Sequence, residues 1–308
     1  MSARAVVIPG EEITREAGFL RGHGTVVAPG GRLLATLAGT VERVNALVSV
    51  SALSSRYAGE VGDVVVGRVT DVQARRWHVD VRARADAALL LASVNLAGGA
   101  QRRRTAEDQL NMRALFAEGD VISAEVHSVF ADGSLSLHAR SAEYGRLANG
   151  ALVAVPASLM RRLAAHFVTL RAPRVDAILG LNGLIWLTEA VDAGAGARGP
   201  RGVGGGGSAL DAAADAADAG HVEAIEAAKR AAAERDIGGE ARLRIARVRN
   251  AILALAGAGL AITPDAIEAV YAESLRAGLS AAALGEPEGA RVAVAPARAA
   301  AAAAHDVE

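Results

Sequence analysis

The apolar positions in the first half of the chain alternate with polar ones or form short β-branched runs, and both patterns are typical of β-strands. Residues 77–82 alternate strictly, which places Trp77, Val79 and Val81 on one face of a strand. Residues 64–69 form a β-branched run shortly before it. The central part of the chain therefore begins with two predicted strands.

The following segment predicts a short helix and then a β-hairpin. Residues 105–119 begin with an N-cap signature, Thr105 followed by Asp108 three residues later. Two apolar runs, 121–129 and 134–138, are joined by an Asp-Gly turn that is typical of hairpins. Strands with one short helix before the fourth predict a small five-stranded Greek-key barrel of the OB type.

The flanks of this barrel have different patterns. Residues 6–53 combine short strands with glycine turns and predict a small all-β unit. Residues 142–188 are mixed α/β in character. Helical spacing of apolar residues returns at 245–255, and Thr263 with Pro264 has the sequence of a helix N-terminus.

Two segments are of low complexity. Between about residues 192 and 220 the composition falls to Ala, Gly, Asp and Arg, with four consecutive glycines, which predicts a flexible insertion. Residues 281–308 are alanine-rich, and we expect a disordered tail there.

Composition narrows the function classes. The 308 residues carry a net charge of -1, so any binding to nucleic acid must come from local basic patches. The absence of cysteine excludes disulfides, thiolate metal sites and cysteine nucleophiles. The N-terminal residues lack the apolar run of a signal peptide, and the apolar stretch at 251–262 is too short to cross a bilayer. We expect a soluble intracellular protein.

A basic and aromatic cluster lies in the predicted barrel. Arg75 and Arg76 precede Trp77, and the triplet Arg102-Arg103-Arg104 falls in a predicted loop. Aromatic rings stack on bases and arginines contact phosphates, so these six residues are candidate RNA contacts. Trp77 fits the barrel core equally well, and the triplet also fits a solvated loop or a protein interface.

A glycine motif separates two apolar runs in the mixed α/β region. Gly180-Leu181-Asn182-Gly183 resembles the GxxG loop with which K-homology (KH) domains clamp an RNA backbone. Gly180, Asn182 and Gly183 are therefore further candidate RNA contacts. An ordinary hairpin turn explains the same residues.

The densest glycine segment near the N-terminus predicts a tight exposed loop, which is typical of functional positions. His23 lies between two glycines and is a poor candidate for a core residue. We interpret the segment as a protein interface with these candidate residues: Gly18, Phe19, Arg21, Gly22, His23 and Gly24.

Patterns that would indicate catalysis or a cofactor are weak. Gly194, Gly196 and Gly199 have the spacing of a dinucleotide fingerprint, but no β-branched strand precedes them and no helix follows. Three aspartates within 211–218 are explained by a solvated alanine-rich segment, and the seven histidines are scattered. The sequence therefore predicts no catalytic residue, no metal and no cofactor, and we expect a protein that is not an enzyme.

The order of these modules resembles the S1/KH cap family of the eukaryotic RNA exosome. The similarity is nearly continuous from Val6 to about Leu187 and is more specific than either domain signature alone. It rests on these stretches: 7–11, 18–25, 39–45, 56–63, 76–77, 89–91, 102–108, 124–126 and 178–183.

The resemblance implies a multi-domain fold, mainly β with α/β. The implied parts are an N-terminal ring-docking β domain at 1–55, an S1-type OB barrel at 56–141 and a KH domain at 142–280. The low-complexity insertion at about 192–220 interrupts the KH domain, and the tail follows at 281–308. Both segments depart from the family pattern.

The resemblance also implies a function. Three cap proteins of this family sit on a ring of six RNase-PH-like subunits and guide single-stranded RNA, 3′ end first, toward an associated hydrolytic exoribonuclease. The loop at 18–24 would dock on the ring, and the barrel would face the channel entrance. Processing of ribosomal RNA, mRNA decay and a location in nucleus, nucleolus and cytoplasm are further expectations from the family.

Two other kinds of protein carry similar modules. A phosphorolytic exoribonuclease with S1 and KH modules carries them after a catalytic core in the order KH then S1, whereas this chain has the reverse order and no such core. A free-standing S1/KH protein associated with translation would not require the loop at 18–25.

Overall fold

The computed structural model describes residues 6–15, 18–52, 56–94, 106–141, 143–190 and 237–305. The chain divides into two compact units, Met1–Arg56 and Tyr57–Glu308. The predicted insertion at 192–220 lies outside the described residues. No helix in the described ranges is long and apolar enough to cross a membrane.

The N-terminal unit is all β, as the sequence predicts. One sheet has the strand order β1-β6-β7-β3 and the other β2-β5-β4. Its buried apolar cluster is small and consists of Val7, Ala35 and Val50. The strands are β1 (Val6–Val7), β2 (Glu12–Thr14), β3 (Leu20–Arg21), β4 (Thr25–Ala28), β5 (Arg32–Ala35), β6 (Gly39–Val44) and β7 (Leu47–Ala52).

The second unit begins with a closed barrel, which confirms the predicted OB type. The sheet order is β12-β10-β9-β8-β11-β13, and the pairing of β12 with β11 closes it. The strand β10 runs parallel to β12. The strands are β8 (Val64–Val72), β9 (Arg76–Asp80), β10 (Ala87–Val94), β11 (Val121–Val129), β12 (Leu135–Ala139) and β13 (Gly145–Leu147).

The sequence predicts one helix before the fourth strand, and the structure has two short helices there. They are α1 (Ala106–Leu110) and α2 (Met112–Leu115), separated at Asn111. Met112 and Phe116 enter the barrel core. The predicted helix end near Gly119 is therefore several residues too late, because burial of Phe116 turns the chain into an extended conformation there.

The KH region has a four-stranded antiparallel sheet, β14-β17-β16-β15, with helices packed against it. Thr263 Oγ1 accepts a hydrogen bond from Ala266 N at 3.3 Å, which confirms the predicted helix start. The elements are β14 (Gly150–Ala154), a 3₁₀ turn (Ala157–Leu159), β15 (Phe167–Leu170), β16 (Val175–Leu179), β17 (Leu184–Glu189), α3 (Gly239–Gly257), α4 (Pro264–Arg276), α5 (Ala281–Leu284) and α6 (Pro287–His305).

The prediction of a disordered tail at 281–308 is wrong for most of this segment, which is helical. Helix α6 buries Ala293 and Val294 in the KH core. A Cβ at Gly289 would lie 2.1 Å from Ala283 O, so α5 and α6 approach closely through a glycine. Alanine-rich composition suggested low complexity, but alanine has the highest helix propensity and its small side chain allows close packing.

Candidate nucleic-acid interface

Trp77 belongs to the barrel core. Its side chain is 0% exposed, and its Nε1 donates a hydrogen bond to Phe116 O at 3.0 Å. The Trp77 and Phe116 ring centroids are 5.2 Å apart in an edge-to-face arrangement. This corrects the prediction that Trp77 contacts RNA, because no face of the ring is open to a base. The core interpretation, which the sequence left open, is the one that the structure shows.

Arg75 and Arg76 are exposed at one end of the barrel, where β8 turns into β9. Leu90 pairs with Arg76, and Leu91 N donates to Arg75 O at 3.0 Å. Strand β10 therefore ends at this same end of the barrel, which we call the arginine end. The triplet at 102–104 follows β10 in sequence and lies outside the described residues, so its role stays a prediction.

The GxxG motif faces the barrel. Asn182 is 1% exposed, and its Nδ2 donates to Val66 O at 2.6 Å and to Val81 O at 3.0 Å. Leu181 N donates to Val64 O at 3.0 Å. The motif thus joins the KH sheet to the barrel, and the predicted RNA contact by Gly180, Asn182 and Gly183 is corrected accordingly.

The packing around the motif leaves no room for a side chain at either of its glycines. A Cβ at Gly180 would lie 2.4 Å from Leu184 O, and one at Gly183 would lie 2.3 Å from Val155 O. Gly183 also has φ +80°, a conformation that side chains disfavour. The glycines therefore allow two stretches of protein backbone to pack closely. The sequence interpretation instead assigned them the close approach of an RNA phosphate.

A buried carboxylate adds to the same joint, and no sequence pattern indicates it. Asp63 is 3% exposed and accepts hydrogen bonds from Tyr57 Oη at 2.7 Å and from Glu60 N at 3.0 Å. Arg162 of the KH region forms an ion pair with Asp63. Burial, and then the hydrogen bond to Asp63, raise the pKa of the Tyr57 hydroxyl above its ordinary value.

Arg82 holds a third contact between barrel and KH region. Its Nη1 donates to Val155 O at 3.2 Å, and its backbone lies in the left-handed region at φ +60°. A bulky residue keeps this conformation only where its surroundings fix it. Together with the contacts of Asn182 and Asp63, this bond makes barrel and KH region one body.

The predicted interface loop of the N-terminal unit lies flat against β7. Gly22 N donates to Val48 O at 2.8 Å, and His23 O accepts from Val50 N at 2.8 Å. A Cβ at Gly22 would lie 2.6 Å from Val48 O, so a side chain there would lift the loop. The main chain of His23 is bound to β7, and its side chain is exposed.

An exposed apolar row lies beside this loop. Leu20 pairs with Leu47 and Leu47 pairs with Val44, and their exposed fractions are 64%, 43% and 65%. Arg43 covers the Phe19 ring at 4.0 Å from its centroid. Gly18 and Arg21 are exposed. This surface has the apolar centre and basic rim of a protein contact.

The described residues do not form a metal centre. Among them, no group of three or more His, Asp or Glu side chains is placed to hold a metal ion.

The fold defines a chain of the S1/KH class, with a small β unit before the barrel. Three family models match it in order: "Exosome complex exonuclease RRP4 N-terminal region" over residues 6–44, "RRP4, S1 domain" over 56–128 and "KH domain" over 150–192. Residues 6–128 thus carry the two regions that these RRP4 models describe, and a KH domain follows them.

Three curated relatives bear the name "Exosome complex component RRP4". The mouse protein is 53% identical over 186 residues, which are 60% of this chain and 63% of the relative. The Schizosaccharomyces pombe protein is 46% identical over 184 residues, 60% of this chain and 55% of the relative. The Saccharomyces cerevisiae protein is 47% identical over 182 residues, 59% of this chain and 50% of the relative. The chain thus spans less than two thirds of these relatives.

Proposed function

We propose that the chain is a non-catalytic RNA-binding cap subunit of the RNA exosome. It stabilises the ring of RNase-PH-like subunits and guides RNA 3′ ends into the channel for 3′–5′ processing and decay, including maturation of ribosomal RNA. The observation that carries this proposal is the ordered match of all three regions in one chain, with 53% identity to the mouse protein.

The surface of the N-terminal unit supports ring docking. Its buried cluster consists of Val7, Ala35 and Val50, and several of its larger apolar side chains are exposed. Apolar patches of this kind mark protein contacts. The exposed apolar residues are Val6, Ile8, Leu20, Val26, Val27, Leu37, Val44 and Leu47.

The arginine end of the barrel supports RNA guidance. Arg75 and Arg76 are exposed there, and the net charge of -1 means that such local patches must supply the attraction to phosphate. Because the KH region is joined to the barrel by buried hydrogen bonds, the arginine end is held on a rigid body. A rigid body placed on a ring presents its basic end in one direction.

The assembly implies the remaining partners and the location. Two other S1-domain cap subunits complete the cap, and an associated hydrolytic exoribonuclease degrades the RNA. We place the chain in nucleus, nucleolus and cytoplasm, where RNA processing and decay occur. No catalytic residue, metal or cofactor is needed for threading of RNA.

Purification of the tagged full chain under native conditions, followed by mass spectrometry, tests the assembly. We expect six RNase-PH-like proteins and two further S1-domain proteins in equal proportion. The variant Gly22→Val should recover at least about tenfold less of the ring, because its side chain would meet Val48 O and lift the docking loop.

Gly30→Asn is the matched control for this experiment. Gly30 has open space around its Cβ position, and asparagine tolerates its φ of +86°. This variant should recover the ring as the unmodified chain does. Recovery of ribosomes, or of the chain alone, would contradict the proposal, as would full ring recovery by a folded Gly22→Val chain.

Removal of the side chains of Arg75 and Arg76 should weaken the salt dependence of RNA binding. For Arg75→Ala/Arg76→Ala, the slope of log K against log salt should fall by about 1.4, since each phosphate contact to a single strand contributes about 0.7. Fluorescence anisotropy with a labelled RNA of about 20 nucleotides measures this slope between about 50 and about 200 mM salt.

Arg291→Ala, at an exposed position of helix α6, is the control and should leave the slope unchanged. An unchanged slope in the double variant would remove the arginine end from the interface. The labelled RNA should stay intact during incubation with Mg²⁺. Shortening of the RNA by the pure chain would contradict a non-catalytic role.

A further inference from the structure

A row of aromatic rings runs from the outer face of the barrel to the edge of the KH sheet. The ring centroids of His127, on β11, and His138, on β12, are 5.5 Å apart. The Tyr144 ring follows, 6.4 Å from His138 and 5.6 Å from Phe167. Phe167 lies on the edge strand β15 of the KH sheet. These four rings, which we call the histidine row, are therefore a further contact between the barrel and the KH region.

One carboxylate lies at the centre of the histidine row. Glu125 pairs with His138 across β11 and β12, so both side chains lie on the same face of the sheet. Glu125 Oε2 accepts a hydrogen bond from Tyr144 Oη at 2.8 Å. Its other oxygen, Oε1, is 3.9 Å from His138 Nε2, which is too far for a hydrogen bond. The carboxylate is thus bound to Tyr144 and is only close to His138.

The surroundings of His138 suit the neutral form of its imidazole. The side chain is 18% exposed, and among the described residues its buried Nδ1 has no hydrogen-bond partner. A neutral imidazole carries a single N–H, which can point from Nε2 toward Glu125. A charged imidazolium carries a second N–H at Nδ1, and a buried donor without an acceptor is costly. The geometry therefore disfavours a proton on Nδ1.

The charges around His138 act in both directions. Burial lowers the pKa of the His138 imidazole, the Glu125 carboxylate acts in the opposite direction, and His127 and Arg140 add to the lowering. Strands β10 and β15, which flank the row, carry no titratable side chain. An imidazolium at His138 would therefore be attracted by one carboxylate and repelled by a guanidinium and, once His127 is protonated, by a second imidazolium.

We propose that the histidine row is an acid-sensitive contact between the barrel and the KH region. With neutral His138, Glu125 holds Tyr144 against Phe167. When His138 takes up a proton from solvent, its Nε2–H attracts the Glu125 carboxylate, and the hydrogen bond from Tyr144 to that carboxylate is lost. Tyr144 then leaves Phe167, while the buried hydrogen bonds of Asn182 keep the barrel and the KH region joined.

The lowered pKa of His138 gives the direction of the pH dependence. The unfolded chain takes up this proton near the ordinary histidine value of about 6.5, whereas the folded chain takes it up only at lower pH. Stabilisation by the histidine row is therefore complete above about pH 6.5 and is lost as the pH falls through the folded-state value.

Hydrogen exchange of the full chain, followed by mass spectrometry, measures this contact. After correction for the intrinsic effect of pH, residues 144–147 and 167–170 should exchange at least about threefold faster at about pH 5.5 than at about pH 7.5. His138→Phe keeps a ring that cannot take up a proton, so exchange in both segments should no longer depend on pH. His78→Gln, at a half-buried position of β9 outside the row, is the matched control and should keep the pH dependence.

Titration of the His138 imidazole by NMR tests the same contact without replacing the histidine. Tyr144→Phe frees Glu125 to face His138, so the pH at which His138 takes up its proton should rise, whereas in Glu125→Gln it should fall. The proposal would be overturned by exchange in both segments that does not depend on pH in the unmodified chain, or that still depends on it in His138→Phe. An equal His138 midpoint in the Tyr144→Phe and Glu125→Gln chains would also overturn it.

Discussion

Trp77→Ala is expected to lower the free energy of unfolding of the second unit by about 3–5 kcal/mol, the range for truncation of a large aromatic residue in a core. Trp77 is 0% exposed, and its ring touches Phe116 edge to face. Truncation leaves a cavity at the centre of the barrel, and Phe116 O loses its indole donor. Urea unfolding followed by circular dichroism measures the loss.

Two comparisons show whether the loss comes from packing. Trp77→Phe keeps most of the ring volume and should cost clearly less than the alanine variant. Arg76→Ala, at the next and exposed position, should change stability by less than about 0.5 kcal/mol. A Trp77→Ala chain of unchanged stability but weaker RNA binding would restore the stacking role that the buried position argues against.

Asn182→Ala is expected to cost about 3 kcal/mol of folding free energy. The substitution leaves the buried carbonyls of Val66 and Val81 without their side-chain donor, and each unsatisfied buried group costs about 1–3 kcal/mol. These bonds join the barrel to the KH region. In the variant we therefore also expect the barrel and the KH region to unfold in separate transitions. Thermal unfolding by calorimetry and by tryptophan fluorescence, with Trp77 in the barrel and Trp186 in the KH sheet, detects this.

Asn111→Ala is the matched control for this variant. Asn111 is exposed and makes no side-chain capping hydrogen bond, so its removal should change stability by less than about 0.5 kcal/mol. If the glycine motif clamped RNA instead, Asn182→Ala would weaken RNA binding and leave the unfolding curve unchanged. That pair of results would contradict the joint described above.

The sequence by itself determined the elements that local rules control. The alternation at 77–82 predicted which side chains point into the barrel, and Trp77 and Val79 lie there. The Asp-Gly pair predicted the hairpin between β11 and β12, and Thr263 with Pro264 predicted the start of α4. These features depend on residues within one or two turns of each other, so the spacing of residue types is sufficient.

Only the tertiary structure decided what the exposed and glycine-rich segments contact. Asn182 bonds Val66, 116 residues earlier in the chain, and Arg162 bonds Asp63, 99 residues earlier. A GxxG turn has the same local sequence whether it faces a phosphate or a neighbouring strand. The alanine-rich end became a helix because the KH core offered a surface that small side chains could cover. Both outcomes depend on partners distant in sequence, and local spacing carries no information about those partners.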